Sequence, residues 1–431
     1  MKHHLVVKTR RRLPEPPPIP DWIRFITDKS VVVTSVNAEV DAVLRGHPFW
    51  VTHEYAPAFD GWAALEVHHG LDRTYRLVLQ HEETRLPEEL IRRLAALPIV
   101  ERVHQLEVGG ADLPGPRAVG LSVGPGPDRR SLLGLDFAQA HSRGDRDVLV
   151  AVLDTGVDLD HPELRGKIAA KADFVNLEGL DTSSFVGDFL GADDDPEDEL
   201  GHGTHVAGIV AGEGVAMDPG IVPECRIMAV RVLATLQAGA RPQGAGIVDN
   251  INPAIKWAVD NGAQVINMSL GIRHTGGGLP HEDVIRYALG HGVCVVAASG
   301  NDGTDTKYYP GALPGVIAVG AVDDDGRVAS FTSYGAQITV VAPGVNILSS
   351  FARGRYALAS GTSQASPCVA GAVALLVSLA RQRGHRLGVE DVLRIFRETS
   401  DKPDTRLRTV HAGYGVVNMT DAVKWLLGSL N

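Results

Sequence analysis

Cysteine is scarce in this 431-residue chain: Cys225, Cys294 and Cys368 are odd in number and too widely spaced for a disulfide framework or a C-x-x-C metal site. They read as buried free thiols. Positive charge is also short. Against 52 acidic residues stand 41 Lys and Arg, a net −11, so there is no basic field to hold a phosphate backbone and nucleic acid is not an expected partner. No run approaches the ~20 apolar residues of a membrane span. The opening M-K-H-H-L-V-V-K-T-R-R-R never develops the apolar core of a secretory signal. The expected location is therefore the cytoplasm, with no membrane partner, unless the start site is misassigned and the protein is secreted. Apolar residues (44 %) and glycine (48 residues) are plentiful, which predicts a large, turn-rich globular core.

The chain divides into four stretches. Residues 1–20 hold a polyproline run and read as a disordered leader. Residues 21–108 read as a small α+β domain: a strand over 22–27, a short helix over 37–45 capped by Asn37, strands over 49–55, 62–67 and 75–79, a helix from Pro87 to Pro98, and a strand over 100–108. Residues 109–130, rich in glycine and proline, read as an exposed linker with a processing site. From 131 to 431 short apolar runs (148–153, 265–270, 293–298, 316–321) alternate with helical patterns (205–211, 252–261, 283–291). Runs apolar on both faces fit buried parallel strands, so an α/β, doubly wound, mostly parallel sheet is expected, with its site at the carboxyl ends of the strands.

Chemistry collects at those ends. Asp154 follows the first apolar strand, where a turn or cap residue is the plain alternative. His202 and His205 open a small-residue helix. Their i, i+3 spacing could offer two metal ligands, but the H-E-x-x-H glutamate and a marked third ligand are missing. Ser363 sits in S-G-T-S-Q-A-S-P at a helix start, either as a cap or as a nucleophile beside free N–H groups that would stabilise an oxyanion. Asn301, after A-A-S-G, is a turn residue or a second oxyanion donor. Ser269, Leu270 and Gly271 end a strand whose open edge would accept an extended peptide. The run Asp193-Asp194-Asp195-Pro196-Glu197-Asp198 is either a solvated loop or a candidate calcium site at Asp193, Asp194, Asp195 and Asp198.

The order Asp, His, Ser is one of the known triad orders. With V-L-D-T-G-V-D-L-D-H-P-E-L, G-H-G-T-H-V-A-G-I-V-A-G, S-G-N and G-T-S-Q-A-S-P-C-V-A-G, the chain from about residue 132 resembles the subtilisin-like serine peptidases. That resemblance implies Ser363 as nucleophile, His202 as general base, Asp154 as its orienter, and Asn301 with the Ser363 N–H as oxyanion hole. It implies substrate binding by Ser269, Leu270, Gly271, Ala298, Ser299, Gly300 and Thr362. It further implies a serine endopeptidase made as a self-processing zymogen, needing no cofactor, acting on peptide or protein substrates, and inhibited by its own N-terminal domain. The alternatives are a latent, specific processing peptidase that retains this domain as a regulatory or docking module, and a peptide binder without activity. The family's usual methionine after the nucleophile is Gln364 here, and the asparagine-rich calcium loop of secreted subtilisins is missing at 213–219.

Overall fold

A computed structural model describes the chain except for residues 1, 15–17, 29–30, 83–87, 106–107, 112–116, 119–128, 178–182, 189–194, 239–240, 275–278, 403–406 and 431. The larger part is built on a seven-stranded sheet in which every pairing is parallel. Its order is Ile338–Pro343, Ile317–Val322, Cys294–Ala298, Val265–Met268, Leu149–Asp154, Arg226–Arg231 and Ile168–Asp173. Helices cover both faces, which is why the strands are apolar throughout rather than alternating. On one face lie His202–Ala211 and Thr362–Arg381, packed into a core with Val152, Val296 and Val319. On the other lie Val248–Asp260 and Glu282–Gly290, packed with Leu153, Ile266 and Val295. Among the described residues Thr362–Arg381 is the one helix long and apolar enough to cross a membrane, and it is buried in this core through Ala380, with Val377 half-buried.

The N-terminal part is a separate antiparallel sheet ordered Phe49–His53, Thr74–Glu82, Lys2–Thr9, Val100–Gln105. This corrects the disordered leader. Lys2–Thr9 is an inner strand, hydrogen-bonded on both sides, and Leu5 and Val7 are fully buried in the domain core, each contributing about 1.5–3 kcal/mol. The prolines that suggested a leader follow that strand, and Glu15, Pro16 and Pro17 lie outside the described residues.

Two expected strands are helices. Trp22–Thr27 is helical because Asp21 accepts the Arg24 N–H at 2.9 Å and the i, i+3 pair Trp22 and Phe25 packs on Val78. Ala64–His69 is helical because Glu66, three residues in, accepts the N–H of Ala63, and Gly70 ends the turn at φ 74°. The helices Ala38–Val43, capped by Asn37, and Glu88–Ala95 stand where expected.

The seam between the two parts carries buried charge. Arg76 makes two 2.8 Å bonds to Glu54 and a third, 2.9 Å, across the seam to Asn250. Lys256 meets Glu66 of the N-terminal part at 2.5 Å and its own Asp260 at 2.6 Å. Asp283 receives Lys8 at 3.0 Å and Arg102 at 2.7 Å. Tyr55 and Leu71 complete the seam by joining the apolar cluster behind Ile251 and Val284.

Candidate active site

Each chemical group stands where a strand gives way to a turn or helix. Asp154 ends the strand Leu149–Asp154, fully buried, and its Oδ1 accepts from His202 Nδ1 at 2.6 Å and from the Thr155 N–H at 2.7 Å. His202 is the first residue of its helix. The residue before it, Gly201, has φ 99°, and a Cβ there would strike the Phe351 ring, so the entry to the helix requires glycine. Because Nδ1 faces a carboxylate, it carries the proton, and Nε2 is left as a lone-pair acceptor with no partner among the described residues.

Asp198 holds this helix start in place. Its two oxygens accept from Thr155 Oγ1, the N–H groups of Leu200, Gly201 and Thr204, and Thr204 Oγ1, at 2.7–3.0 Å. Burial pushes its carboxyl upward and these donors pull against that, the net shift being upward. Asp198 does not fit as a calcium ligand, because both of its oxygens already accept from Thr155 and from the start of the His202–Ala211 helix. Asp193 and Asp194 lie outside the described residues, and Asp195 is exposed. Among the described residues no three His, Cys, Asp or Glu side chains gather as a metal set. In the 213–219 loop the Glu163 carboxylate accepts the N–H groups of Gly214, Val215 and Ala216 and the Tyr356 hydroxyl. A carboxylate already engaged by four donor groups does not fit as a calcium ligand. His205 likewise is no ligand. Its Nε2–H is shared between the carbonyls of Ile347 and Ala357, and burial, then the neighbouring His202, lowers its pKa to about 3, so it is neutral.

Ser363 lies in the first turn of Thr362–Arg381, where N–H groups have no intrahelical acceptor. Its hydroxyl donates to Ser269 O at 3.1 Å, and Ser269 Oγ returns a bond to Ser363 O at 2.9 Å. Asn267 braces the same turn through Ser269 and Ser366. Asn301 Oδ1 accepts the Thr362 N–H at 2.8 Å and its hydroxyl at 3.0 Å, so Nδ2, the donor end of the amide, is the end chemically suited to an oxyanion. Thr362, expected to bind substrate, is buried and bonds to Asn301 and Gly300, so it positions the amide. The three thiols are buried and raised, Cys225 and Cys368 to about 11 and Cys294 to about 12.

Sequence reasoning missed one edge of the groove. The strand Val108–Ala111 pairs antiparallel with residues 244–247, Ala111 opposite Gly244 and Val108 opposite Ile247, and its other side approaches Ile272–Arg273. Farther along, Arg117–Ala118 pairs with Arg355–Ala359, the strand that leads into Ser363. The expected linker is thus strand-paired at 109–111 and again at 117–118, and Arg129–Leu133 is helical. The remaining linker residues, 112–116 and 119–128, lie outside the described residues. The only signal for the missed edge was the small-residue run G-A-G at 244–246.

Residues 145–415 match the Subtilase family. The chain belongs to that family. It is 40 % identical over 296 residues to the thermophilic serine proteinase of Bacillus sp. (strain AK1), covering 67 % of this chain and 65 % of the relative. With subtilisin DY of Bacillus licheniformis it shares 38 % over 252 residues, 57 % of this chain and 82 % of the relative. The chain thus spans just under two thirds of the first of these curated relatives. A solved structure, that of the prenylagaramide maturation protease PagA, superposes with a TM-score of 0.55 at 32 % identity, over 68 % of this chain and 99 % of that one. A subtilase with its mostly parallel sheet is what the motifs implied.

Proposed function

We propose that this subtilase is a serine endopeptidase and that its N-terminal domain is an intramolecular inhibitor, severed by the enzyme's own Ser363. The observation that carries the reading is the 2.6 Å Asp154–His202 bond, which fixes the imidazole with its Nε2 lone pair unpartnered beside the helix that bears Ser363. In the resting state the Ser363 hydroxyl donates to Ser269 O. Rotation about its Cα–Cβ bond would turn it to His202 Nε2, which takes the proton as Oγ attacks the scissile carbonyl and later delivers it to the leaving amine. Asp154 stabilises the imidazolium. Asn301 Nδ2 and the Ser363 N–H receive the oxyanion. No step calls for a cofactor.

The self-processing part rests on the two paired strands. Val108–Ala111 lies along one side of the groove and Arg117–Ala118 along the strand that leads to the nucleophile, so the bond to be cut falls between Ala111 and Arg117. The ion-paired seam supports a second reading, in which the domain stays bound after the cut and the enzyme is a dedicated processing peptidase. The name of the relative PagA, a maturation protease, points the same way.

Intact mass against time for the purified full chain, beside Ser363→Ala, tests both parts. Wild type should yield a new N-terminus within 112–117 and Ser363→Ala should stay whole. A fluorophosphonate probe should label wild type alone. A whole and unlabelled wild type would overturn the peptidase; a labelled but uncut one would overturn the self-processing.

A further inference from the structure

On the proposed function, a substrate whose scissile carbonyl sits between Asn301 and Ser363 would send the side chain before the cut between residues 269–271 and 298–300, which end or follow two neighbouring strands. That gap is not open. Tyr308 stands across it, paired in a two-stranded ladder with Arg273. A Cβ added to Gly271 would lie 3.0 Å from Tyr308 Cβ, and one added to Gly300 would run into the ring carbons Cδ2 and Cε2. The ring therefore rests directly on the backbone of both walls.

The ring is also held there. The Tyr308 hydroxyl donates to Asp302 Oδ2 at 2.5 Å and accepts from Arg273 Nε and Nη2, each at 3.1 Å. Arg273 Nη2 closes the triangle on the same Asp302 oxygen, and its guanidinium lies 5.6 Å from the ring centre. To admit a large side chain the ring must leave, which would break this triangle and uncover its packing on two glycines.

We propose, on the reading above, that Tyr308 is the specificity-determining residue of this peptidase and restricts the position before the scissile bond to glycine, alanine or serine. The chain's own strand that approaches Ile272–Arg273, V-G-G-A, is made of small residues apart from its first. Arg273 and Asp302 act as positioning residues, through Tyr308.

The test compares kcat/KM for tetrapeptide anilides that differ only at that position (Gly, Ala, Ser, Leu, Phe), using the full-length protein after incubation. Ratios within one preparation cancel the fraction of enzyme still inhibited. Wild type should favour Ala over Phe by on the order of 100-fold or more, since a closed pocket rejects even single methylenes by tens-fold. Tyr308→Ala should raise the Phe:Ala ratio by roughly 30-fold, and Arg273→Ala, which unpins the ring from an exposed position and guards against a misfolded first variant, by a few-fold. Wild type that prefers Phe or Leu, or ratios unmoved in both variants, would overturn the proposal while leaving the peptidase standing. No turnover of any substrate together with no labelling of Ser363 would overturn both.

Discussion

The catalytic centre and the seam both bury polar groups, but they satisfy them differently. At the centre the partners lie within one domain: Asp154 with His202, Asp198 with Thr155 and Thr204, Asn301 with Thr362. At the seam the partners come from two: Lys256 with Glu66, Asp283 with Lys8 and Arg102, Asn250 with Arg76. Separating the domains would leave the first set intact and break the pairs of the second, although Arg76 would keep Glu54 and Lys256 would keep Asp260. Removing one partner of such a pair while the other stays buried leaves a charge alone in an apolar setting and is costly, so the seam is sensitive to single substitutions without being needed for the chemistry. The following substitutions would break or sharpen that contrast.

The largest effect is expected from Lys256→Ala, made in the Ser363→Ala chain so that nothing is cut. Glu66 then keeps its helix-capping bonds but loses its cation while still buried, a loss of about 3–5 kcal/mol measurable by urea unfolding. Adding Glu66→Ala should restore part of it, because the unpaired charge is then gone. By contrast Arg92→Ala, at a fully solvated pair with Glu89, should cost no more than ~1 kcal/mol. A double variant as unstable as the single one would mean that the seam is held by packing rather than by paired charge.

Asn301→Ala acts on the other side of the contrast. It removes one oxyanion donor and leaves the seam untouched, so kcat should fall by about 10²–10³, the magnitude known for the same loss in a subtilisin, with unfolding little changed. If KM rose and kcat held, Asn301 would be a substrate contact rather than part of the oxyanion hole.

A milder test is pH. Burial would raise the Asp283 carboxyl, yet Arg102 and Lys8 outweigh it and hold the carboxyl below its ordinary range. A carboxyl depressed in the docked state adds stability that is present above its free value, near ~3.9, and fades as pH falls through the docked value. The seam should therefore hold from pH 8 down to about 5, with Asp283's contribution lost only below about 4. Size-exclusion of cut wild type across that range reads this directly. Release between pH 5 and 6 would assign the opening to some group other than Asp283.

How much of this could be read in the sequence follows the same divide. Asp154, His202, Ser363 and Asn301 could be singled out in the sequence because each stands where an apolar strand run ends or a helix begins, and the structure places them at such ends and joins Asp154 to His202. The parallel sheet was legible because strands covered on both faces are apolar throughout. The N-terminal part was read less well. In W-I-R-F-I-T the apolar residues satisfy a helical and a strand period alike, and only the Asp21 cap decides. Lys2–Thr9 was discounted for the prolines behind it, although Leu5 and Val7 alternate inward. The groove edge at 244–246 is made of small residues, which carry no chemical label. The seam could not have been read at all: Arg76 and Asn250 are 174 residues apart and nothing local marks them as partners.

One residue of the centre departs from its own pattern. Gln364, next to Ser363 and fully buried, has no partner among the described residues at either end of its amide. Every other polar side chain of that first helical turn is bonded: Thr362 to Asn301, Ser363 to Ser269, Ser366 to Asn267. An unpaired buried amide costs about 1–3 kcal/mol, and methionine would occupy similar space with no such demand. Gln364→Met should therefore stabilise the Ser363→Ala chain by ~1 kcal/mol, a rise of roughly 2 °C in the melting midpoint. In the active chain the same change should introduce inactivation by peroxide, because a sulfoxide beside Ser363 would place a polar, bulkier group against the reacting hydroxyl. A lower midpoint would show that the amide is satisfied after all, by water or by a substrate group.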